Sequence, residues 1–189
     1  GKYEDFNFIT VHLGGGVSVG MHKKGKIVDV NNCLDGDGPF SPERSGGLPV
    51  GDLIELCYSG KYTKKQIRKK IVGGGGLVAY LGTNDGKEIN ERIENGDIYA
   101  ELIYKSMAYQ ISKQIGAAAA VLCGQVDKII LTGGLAYDNL FISWIKEKIE
   151  FIADIIVYPG GFEMLALAQG TLRVLKKEEK AKKYLEFMV

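Results

Sequence analysis

Cysteine, proline and net charge are all in short supply in this chain. Its three cysteines, Cys33, Cys57 and Cys123, lie far apart with no Cys-x-x-Cys pair, so neither a disulfide framework nor a zinc site is written into it. Reduced thiols in a cytoplasmic protein are the expectation. Lys and Arg (24) nearly balance Asp and Glu (23), leaving a formal charge of +1 with the signs interspersed. Nothing in that balance points to nucleic acid or to an anionic membrane surface. No apolar run approaches the roughly 20 residues of a membrane span, and the opening residues do not read as a signal peptide. Gly1 stands only a few residues ahead of a core-like strand, which suggests a fragment.

Glycine, in contrast, is abundant, with 26 residues among 189, enough chain for one domain or one large lobe with a real core. The most organised stretch is Phe8 to Gly20. Ile9, Val11 and Leu13 alternate with Thr10 and His12, and Val17 and Val19 alternate with Ser18 and Gly20, the period of pleated strands. Between them, Gly14, Gly15 and Gly16 allow positive φ and leave no Cβ in the way of an approaching group. That turn is either a permissive hairpin or an anion-binding concavity of free N–H groups.

Lys23-Lys24-Gly25 is a turn signal, and Lys26 to Val30 reads as a third strand of a meander. Asn31 to Gly51 has no periodicity but packs Asp35, Asp37, Glu43, Arg44 and Ser45 among rigid Pro and permissive Gly, as expected of an ordered active-site loop. Helices are expected over Asp52 to Tyr58, from a Thr63 cap to about Val72, and from Ile98 to about Cys123. The last carries Leu102, Ala108, Ile111, Ile115, Ala118, Ala119 and Leu122 at helical spacing. Its small-sided end, Gly116 to Ala120, suits tight core packing. Gly73 to Gly76 reads as a hinge or a close-approach site.

Lys128 to Thr132 is a buried strand, Gly133-Gly134 a tight turn, and Asp138 an N-cap for a helix with Phe141, Ile145, Ile149 and Ile152. Asp154 to Tyr158 is another buried strand, followed by Pro159-Gly160-Gly161 and a helix through Val174. Such βα units imply parallel strands with right-handed crossovers. Lys176 to Lys183 is a charge run, read as a solvated helix end. The order of elements predicts an α/β ribonuclease-H-like lobe of the actin, sugar-kinase and chaperone ATPase superfamily. Its mixed five-stranded sheet would carry helices on both faces, with the two glycine turns pointing into one cleft.

His12-Leu13-Gly14-Gly15-Gly16, Asp29, the loop from Asp35 to Gly46 with its Pro39-Phe40-Ser41-Pro42-Glu43-Arg44-Ser45-Gly46 run, and Leu131 to Ala136 together resemble the acetate/butyrate kinase family, most closely its butyrate-kinase branch. The likeness runs through the whole chain in one register. It implies ATP-dependent, reversible phosphorylation of a short-chain carboxylate such as butyrate to an acyl phosphate plus ADP, with Mg2+.

Carried over by resemblance, His12 and Gly14, Gly15 and Gly16 match a phosphate motif, and Arg44 matches the arginine beside the transferring phosphoryl group. Gly133, Gly134 and Leu135 match the adenosine motif, and Asp138 stands where acetate kinases carry Asn. Asn84, Asp85 and Lys87 sit where acetate kinases place an Asp-aromatic-Arg group beside adenine. Gly86 and Lys87 here replace the aromatic and the Arg. Glu163 matches a glutamate near the magnesium. The residue types suit the chemistry: phosphoryl transfer needs positioning and charge neutralisation, and the planar Arg44 fork can bind two oxygens at once. Arg44 could otherwise pair with Glu43, Asp35 or Asp37. His12 could be a hydrogen-bonded core histidine, and Glu163 a helix N-terminal carboxylate.

The family's first phosphate loop and further catalytic groups have no match in the chain. Residues 1–189 are therefore expected to form the C-terminal nucleotide-binding lobe of a two-lobe kinase, inactive without its N-terminal lobe. The resemblance also implies a homodimer formed through this lobe, for which Ala117 to Ala120 and Phe141/Trp144 offer apolar surface. Two other readings stay open: a non-catalytic nucleotide-binding or dimerisation module, and an acetate or propionate kinase relative.

Overall fold

The computed structural model describes residues 1–181. Strand β1 (Asn7–Leu13) buries alternate residues, with Ile9, Val11 and Leu13 wholly inside, as its two-residue period requires. It pairs antiparallel with β2 (Val17–Lys23), Leu13 opposite Val17, and β2 pairs antiparallel with β3 (Lys26–Val30), an exposed edge strand. On its other side β1 runs parallel to β4 (Lys128–Gly133), which runs parallel to β5 (Ile155–Pro159). The sheet order is β3-β2-β1-β4-β5, the mixed five-stranded sheet expected of a meander followed by βα units.

The helices are α1 (Val50–Tyr58), α2 (Lys64–Ile71), α3 (Gly76–Leu81), α4 (Gly86–Glu94), α5 (Ile98–Val121), α6 (Asn139–Ile149) and α7 (Glu163–Leu175). The long α5 lies on the buried sheet face, and α3, α4 and α6 gather around it. Tyr104, Met107, Ala108, Ile111 and Ile115 of α5 meet Ile9, Val11, Val19 and Leu131 of the sheet in one core. Tyr104 stacks on Phe141 of α6 with ring centroids 4.5 Å apart. Burial of this apolar stripe, at about 25 cal/mol per Å2, is what holds sheet and helices together.

The opposite sheet face is only partly covered. It carries Thr10, His12, Ser18, His22 and Thr132, and α7 approaches it at Glu163, 4.0 Å from His12. Met164, Leu167 and Leu175 of α7 remain 80%, 67% and 73% exposed, so the second helical layer is thin among the described residues.

Several local expectations are corrected. α1 begins at Val50 rather than Asp52, directly after Pro49. α3 and α4 are helices that the pattern did not disclose, and in the Gly73 to Gly76 run, Gly74 to Gly76 make a close approach leading into α3, while Gly73 has nothing within 4 Å of a built Cβ. A Cβ at Gly76 would overlap the Ser41 carbonyl oxygen. Leu102 is exposed, because its position on α5 faces away from the sheet. Ile152 lies beyond α6, which stops at Ile149. In the small-sided segment Ala118 is fully buried in the core and Ala119 packs against it, as expected, but Gly116 has nothing within 4 Å of a built Cβ and Ala117 and Ala120 are exposed, so the other side of the segment is surface. Phe141 is fully buried and offers no outer surface. In the charge run, Lys176 to Lys180 follow the end of α7 and are exposed; Lys182 and Lys183 lie outside the described residues. No helix of the described residues is long and apolar enough to cross a membrane, and the three cysteines are unpaired.

Candidate functional site

The β1–β2 turn and the long loop after β3 are joined by hydrogen bonds. The Gly15 carbonyl accepts from the Glu43 amide at 3.0 Å and from Ser41 Oγ at 2.8 Å. Ser41 Oγ also accepts from the Arg44 amide at 3.2 Å, and Ser41 N–H donates to the Arg44 carbonyl at 3.1 Å. Asn31 holds the start of the loop, accepting from Val19 N–H at 2.7 Å and donating to Val17 and Asp37 carbonyls. The far side is clamped by Leu77 and Val78 amides of α3, which donate to Ser41 and Pro42. Such a loop is ordered by its own backbone pairing, as the composition implied.

None of Gly14, Gly15 and Gly16 has positive φ, so backbone freedom is not their reason. The Gly14 amide is used within the turn, donating to the Gly16 carbonyl at 3.1 Å. Close approach explains two of them better: a Cβ on Gly14 would stand 3.1 Å from His12 Nε2 and one on Gly15 3.2 Å from Glu43 Oε2, whereas one on Gly16 would meet Arg44 Nε at an ordinary 3.5 Å. Positive φ belongs to the second turn. Gly133 has φ +97°, and a Cβ there would collide with the Leu13 backbone. That collision point is where the ends of β1 and β4 meet, and it brings the two glycine turns together.

A cleft of about 820 Å3 opens at that junction. Gly14 and Gly15 line it from one turn, Gly134, Leu135 and Asp138 from the other, and Asn84, Asp85 and Lys87 from the start of α4. The glycine turns therefore do open into one cleft. Gly16 and Gly133 lie behind this surface. Asp85 caps α4, accepting from the Lys87 amide at 2.8 Å, which fixes the helix start at the wall of the cleft.

Arg44 does not line the cleft itself but lies beneath the β1–β2 turn. Its Nη1 donates to Glu43 Oε2 at 3.0 Å, so of the three candidate partners it pairs with Glu43; Asp35 pairs with Arg68. Arg44 Nε is buried with no hydrogen-bond partner among the described residues. A buried donor left unpaired is costly, and a guanidinium edge of this kind suits an oxyanion.

His12 and Glu163 do not line the cleft, but His12 adjoins its edge: a Cβ on Gly14 would stand 3.1 Å from His12 Nε2. His12 points to the open sheet face, where it lines a smaller cavity of about 230 Å3 with Thr10, Ser18, His22 and Thr132. Its side chain is 43% exposed, so it is no core histidine. The hydrogen-bonded histidine is His22, between Tyr3 Oη at 2.5 Å and Thr10 Oγ1 at 2.9 Å, and burial lowers its pKa. Glu163 opens α7 with a 66% exposed side chain beside His12. Among the described residues no group of three or more His, Cys, Asp or Glu could hold a metal ion.

Asn90 escapes a sequence reading altogether, and Glu43, expected only in the loop and as a candidate partner of Arg44, has a further role. Glu43 lines the cleft and bridges it, accepting from Asn84 Nδ2 at 2.7 Å as well as from Arg44. Asn90 lines the cleft from α4 and donates to Asp138 Oδ2 at 2.8 Å, an oxygen that also accepts from Tyr104 Oη at 2.7 Å. Burial, then the Asp138 carboxylate, pushes the Tyr104 hydroxyl well above the ordinary tyrosine range, so Tyr104 is the donor. Asp138 Oδ1 caps α6 by accepting from Phe141 N–H at 3.0 Å.

The Acetokinase family model matches residues 1–152. Butyrate kinase 2 of Clostridium acetobutylicum is 61% identical over 182 residues, covering 96% of this chain and 51% of that protein. Among solved structures, the Porphyromonas gingivalis acetate kinase superposes with a TM-score of 0.83 at 26% identity, covering 92% of this chain and 50% of that one. A propionate kinase from Francisella tularensis shares the fold, with a TM-score of 0.75 at 20% identity over 85% of this chain and 47% of its own. The chain thus spans about half the length of these relatives. With a family model over most of its length and a relative this similar, the chain belongs to the acetokinase family.

Proposed function

We propose that this chain is the nucleotide-binding C-terminal lobe of a butyrate kinase. The whole enzyme would phosphorylate a short-chain carboxylate with ATP, reversibly, giving an acyl phosphate and ADP. The observation that carries this reading is the single cleft onto which both glycine turns open, with the Arg44 guanidinium directly behind one of them. The 61% identity to a butyrate kinase supports butyrate as the acceptor.

In that reaction a carboxylate oxygen forms the new bond to the terminal phosphorus while ADP departs with the old one. The protein's work is positioning and charge neutralisation. Adenosine lies along Gly134, Leu135 and the start of α4, which directs the phosphates toward Gly14 and Gly15. Arg44 supplies the guanidinium that meets the charge spreading over the equatorial oxygens of the transferring group. Glu43, at the cleft wall, holds Arg44 in place through the bond to its Nη1. Gly86 and Lys87 leave the adenine without the aromatic partner that acetate kinases place there.

Mg2+ is held by one or two carboxylates plus substrate phosphates, and the single exposed carboxylate of Glu163 fits an ion bridged in that way. Bound there, the ion would neutralise phosphate charge; His12, 4.0 Å from Glu163, faces the same phosphates. The partner of this lobe is an N-terminal lobe carrying the rest of the phosphate and carboxylate sites. Two copies associate through the exposed Ala117 and Ala120 face of α5, in the cytoplasm.

The test is reconstitution. Joined to an N-terminal lobe of a butyrate kinase, the chain should form butyryl phosphate from butyrate and ATP. Failure of every such joined enzyme, with both lobes folded, would overturn the proposal.

A further inference from the structure

From Leu56 to Asn84 the chain holds six cations, Lys61, Lys64, Lys65, Arg68, Lys69 and Lys70, and no Asp or Glu. Helix α2, which carries most of them, does not itself call for this charge. Cations in its last turn suit the helix dipole, but Lys64 and Lys65 open its first turn, where the dipole disfavours positive charge. Ion pairing does not absorb it either. Among the described residues only Arg68 of the six enters a salt bridge, with Asp35 at 2.8 Å.

A cavity of about 280 Å3 opens on this helix, lined by Tyr62, Gln66, Lys69, Lys70 and Gly74. It shares no residue with the cleft between the glycine turns. Positions 66, 69 and 70 are three and four apart, so they share one helix face. Gln66 Oε1 accepts from Thr63 N–H at 2.8 Å and from Thr63 Oγ1 at 2.9 Å. An N–H must donate, so the Gln66 oxygen is spent in the helix cap and its NH2 is left for a ligand. Lys70 Nζ stands 4.8 Å from the centre of the Tyr62 ring, a contact that steadies the ammonium. Two ammoniums, an amide NH2 and a phenol, with no carboxylate in the lining, select an anion. A phosphate offers these donors three strong acceptor oxygens where a carboxylate offers two.

The floor of the cavity continues into the arginine loop. Gly74 N–H donates to the Lys69 carbonyl at 2.9 Å, Gly73 N–H to the Glu43 carbonyl at 2.8 Å, and Ser45 N–H to the Ile71 carbonyl at 3.0 Å. Val72 pairs with Arg44 in an antiparallel bridge. The contact has no slack, since a Cβ on Gly75 would stand 2.5 Å from Ser45 N.

We propose that this cavity is a second anion site, taking a small phosphate-bearing effector, and that its occupancy shifts the Glu43–Arg44 segment through Val72 and Gly73. Donors gathered in one concavity, rather than strung along an open face, fit a small ligand better than a nucleic acid or a membrane. Such a site exists with or without a nucleotide in the cleft, and its consequence for turnover rests on the role of Arg44 proposed above.

The experiment is a titration of the 15N-labelled 189-residue chain with inorganic phosphate, and separately with acetate, at constant ionic strength. Phosphate should shift the amides of Lys69, Lys70, Gly73, Gly74, Glu43 and Arg44 along one saturation curve, and acetate should bind more weakly. Lys69→Gln with Lys70→Gln should weaken phosphate by about tenfold or more. Lys64→Gln with Lys65→Gln removes the same charge outside the cavity and should change the affinity by no more than about twofold. All four positions are exposed, and the spectra report directly that both variants fold. No saturable shift at α2 would overturn the site, as would equal weakening in the two variants, which marks a diffuse field. Acetate binding as tightly as phosphate would overturn the ligand class. So would α2 amides that respond to single-stranded RNA or to phosphatidylserine vesicles but not to phosphate. Saturation at α2 with unmoved Glu43 and Arg44 amides would overturn the transmission to the loop. Failure of the nucleotide reading shows instead at Gly14 to Gly16 with ADP and leaves the α2 curve as it is.

Discussion

The Glu43 carboxylate and the Arg44 guanidinium, neighbours in sequence, meet side by side at 3.0 Å. The other Glu43 oxygen accepts from Asn84 Nδ2 at 2.7 Å, forty-one residues away. One carboxylate thereby links the loop that carries the arginine to the wall of the cleft before α4. The Arg44 side chain is 19% exposed and that of Glu43 34%, so the pair is shielded enough to set geometry rather than decorate a surface.

If Arg44 stabilises the transferring phosphoryl group, Arg44→Lys in the complete two-lobe enzyme should lower turnover while nucleotide affinity hardly changes. Loss of one preorganised contact to a developing charge costs about 2.7–4 kcal/mol, or about 100- to 1000-fold. Steady-state kinetics with a parallel melting curve decides the matter. Normal turnover per folded molecule with an earlier melt would make Arg44 a structural ion pair.

Gly133→Ala should destabilise the chain by about 2 kcal/mol or more, because the position combines φ +97° with a collision against the Leu13 backbone. Gly134→Ala is the control, since a Cβ there has nothing within 4 Å. Urea unfolding of both variants reads the difference directly. Equal midpoints would contradict the close approach of the β1 and β4 ends.

His22 gives stability a pH dependence. Burial lowers its pKa in the folded chain from the ordinary 6.5, so the unfolded chain binds its proton more readily. The stability contribution is whole above the unfolded pKa and is lost as pH falls below about 6.5 toward the folded value. Chemical denaturation from pH 7.5 downward should show that decline, and His22→Gln should flatten it. An unchanged slope in the variant would remove His22 as the cause.

The exposed Ala117 and Ala120 face of α5 should make the chain a homodimer at micromolar concentration. Ala117→Arg, at an exposed position, should yield a folded monomer in sedimentation equilibrium. A monomer before substitution would contradict this assignment of the interface.

Much of this architecture is legible in the residues. Strict alternation in Ile9, Val11 and Leu13 gives β1, Asp138 announces α6, and the Pro39 to Gly46 run marks an ordered loop. What the residues hide has physical causes. α4 is a charged helix with Ile89 as its one buried residue, too thin a stripe to register as periodic. α3 opens on Gly76, a residue that ordinarily ends helices. Phe141 and Leu102 exchange roles, one buried and one exposed, because helix rotation against the sheet is set by packing and not by composition. The bridging of Glu43 to Asn84 and of Asn90 to Asp138 joins residues 41 and 48 positions apart, and no local pattern encodes such pairs.

In the proposed function, one cleft receives one nucleotide. If, as proposed, half of the phosphate cradle and the closure that excludes water belong to another lobe, ADP should bind this chain weakly, in the millimolar range expected when several kcal/mol are lost from a micromolar site. Titration of 15N-labelled chain with ADP should shift the backbone amides of Gly14 to Gly16, Asp85, Gly133 and Gly134 together along one saturation curve. The same sample should form no butyryl phosphate from butyrate and ATP. Amides that stay in place at saturating ADP, or shift only elsewhere, would contradict the nucleotide cleft, and robust butyryl phosphate formation by this chain would contradict the need for a second lobe.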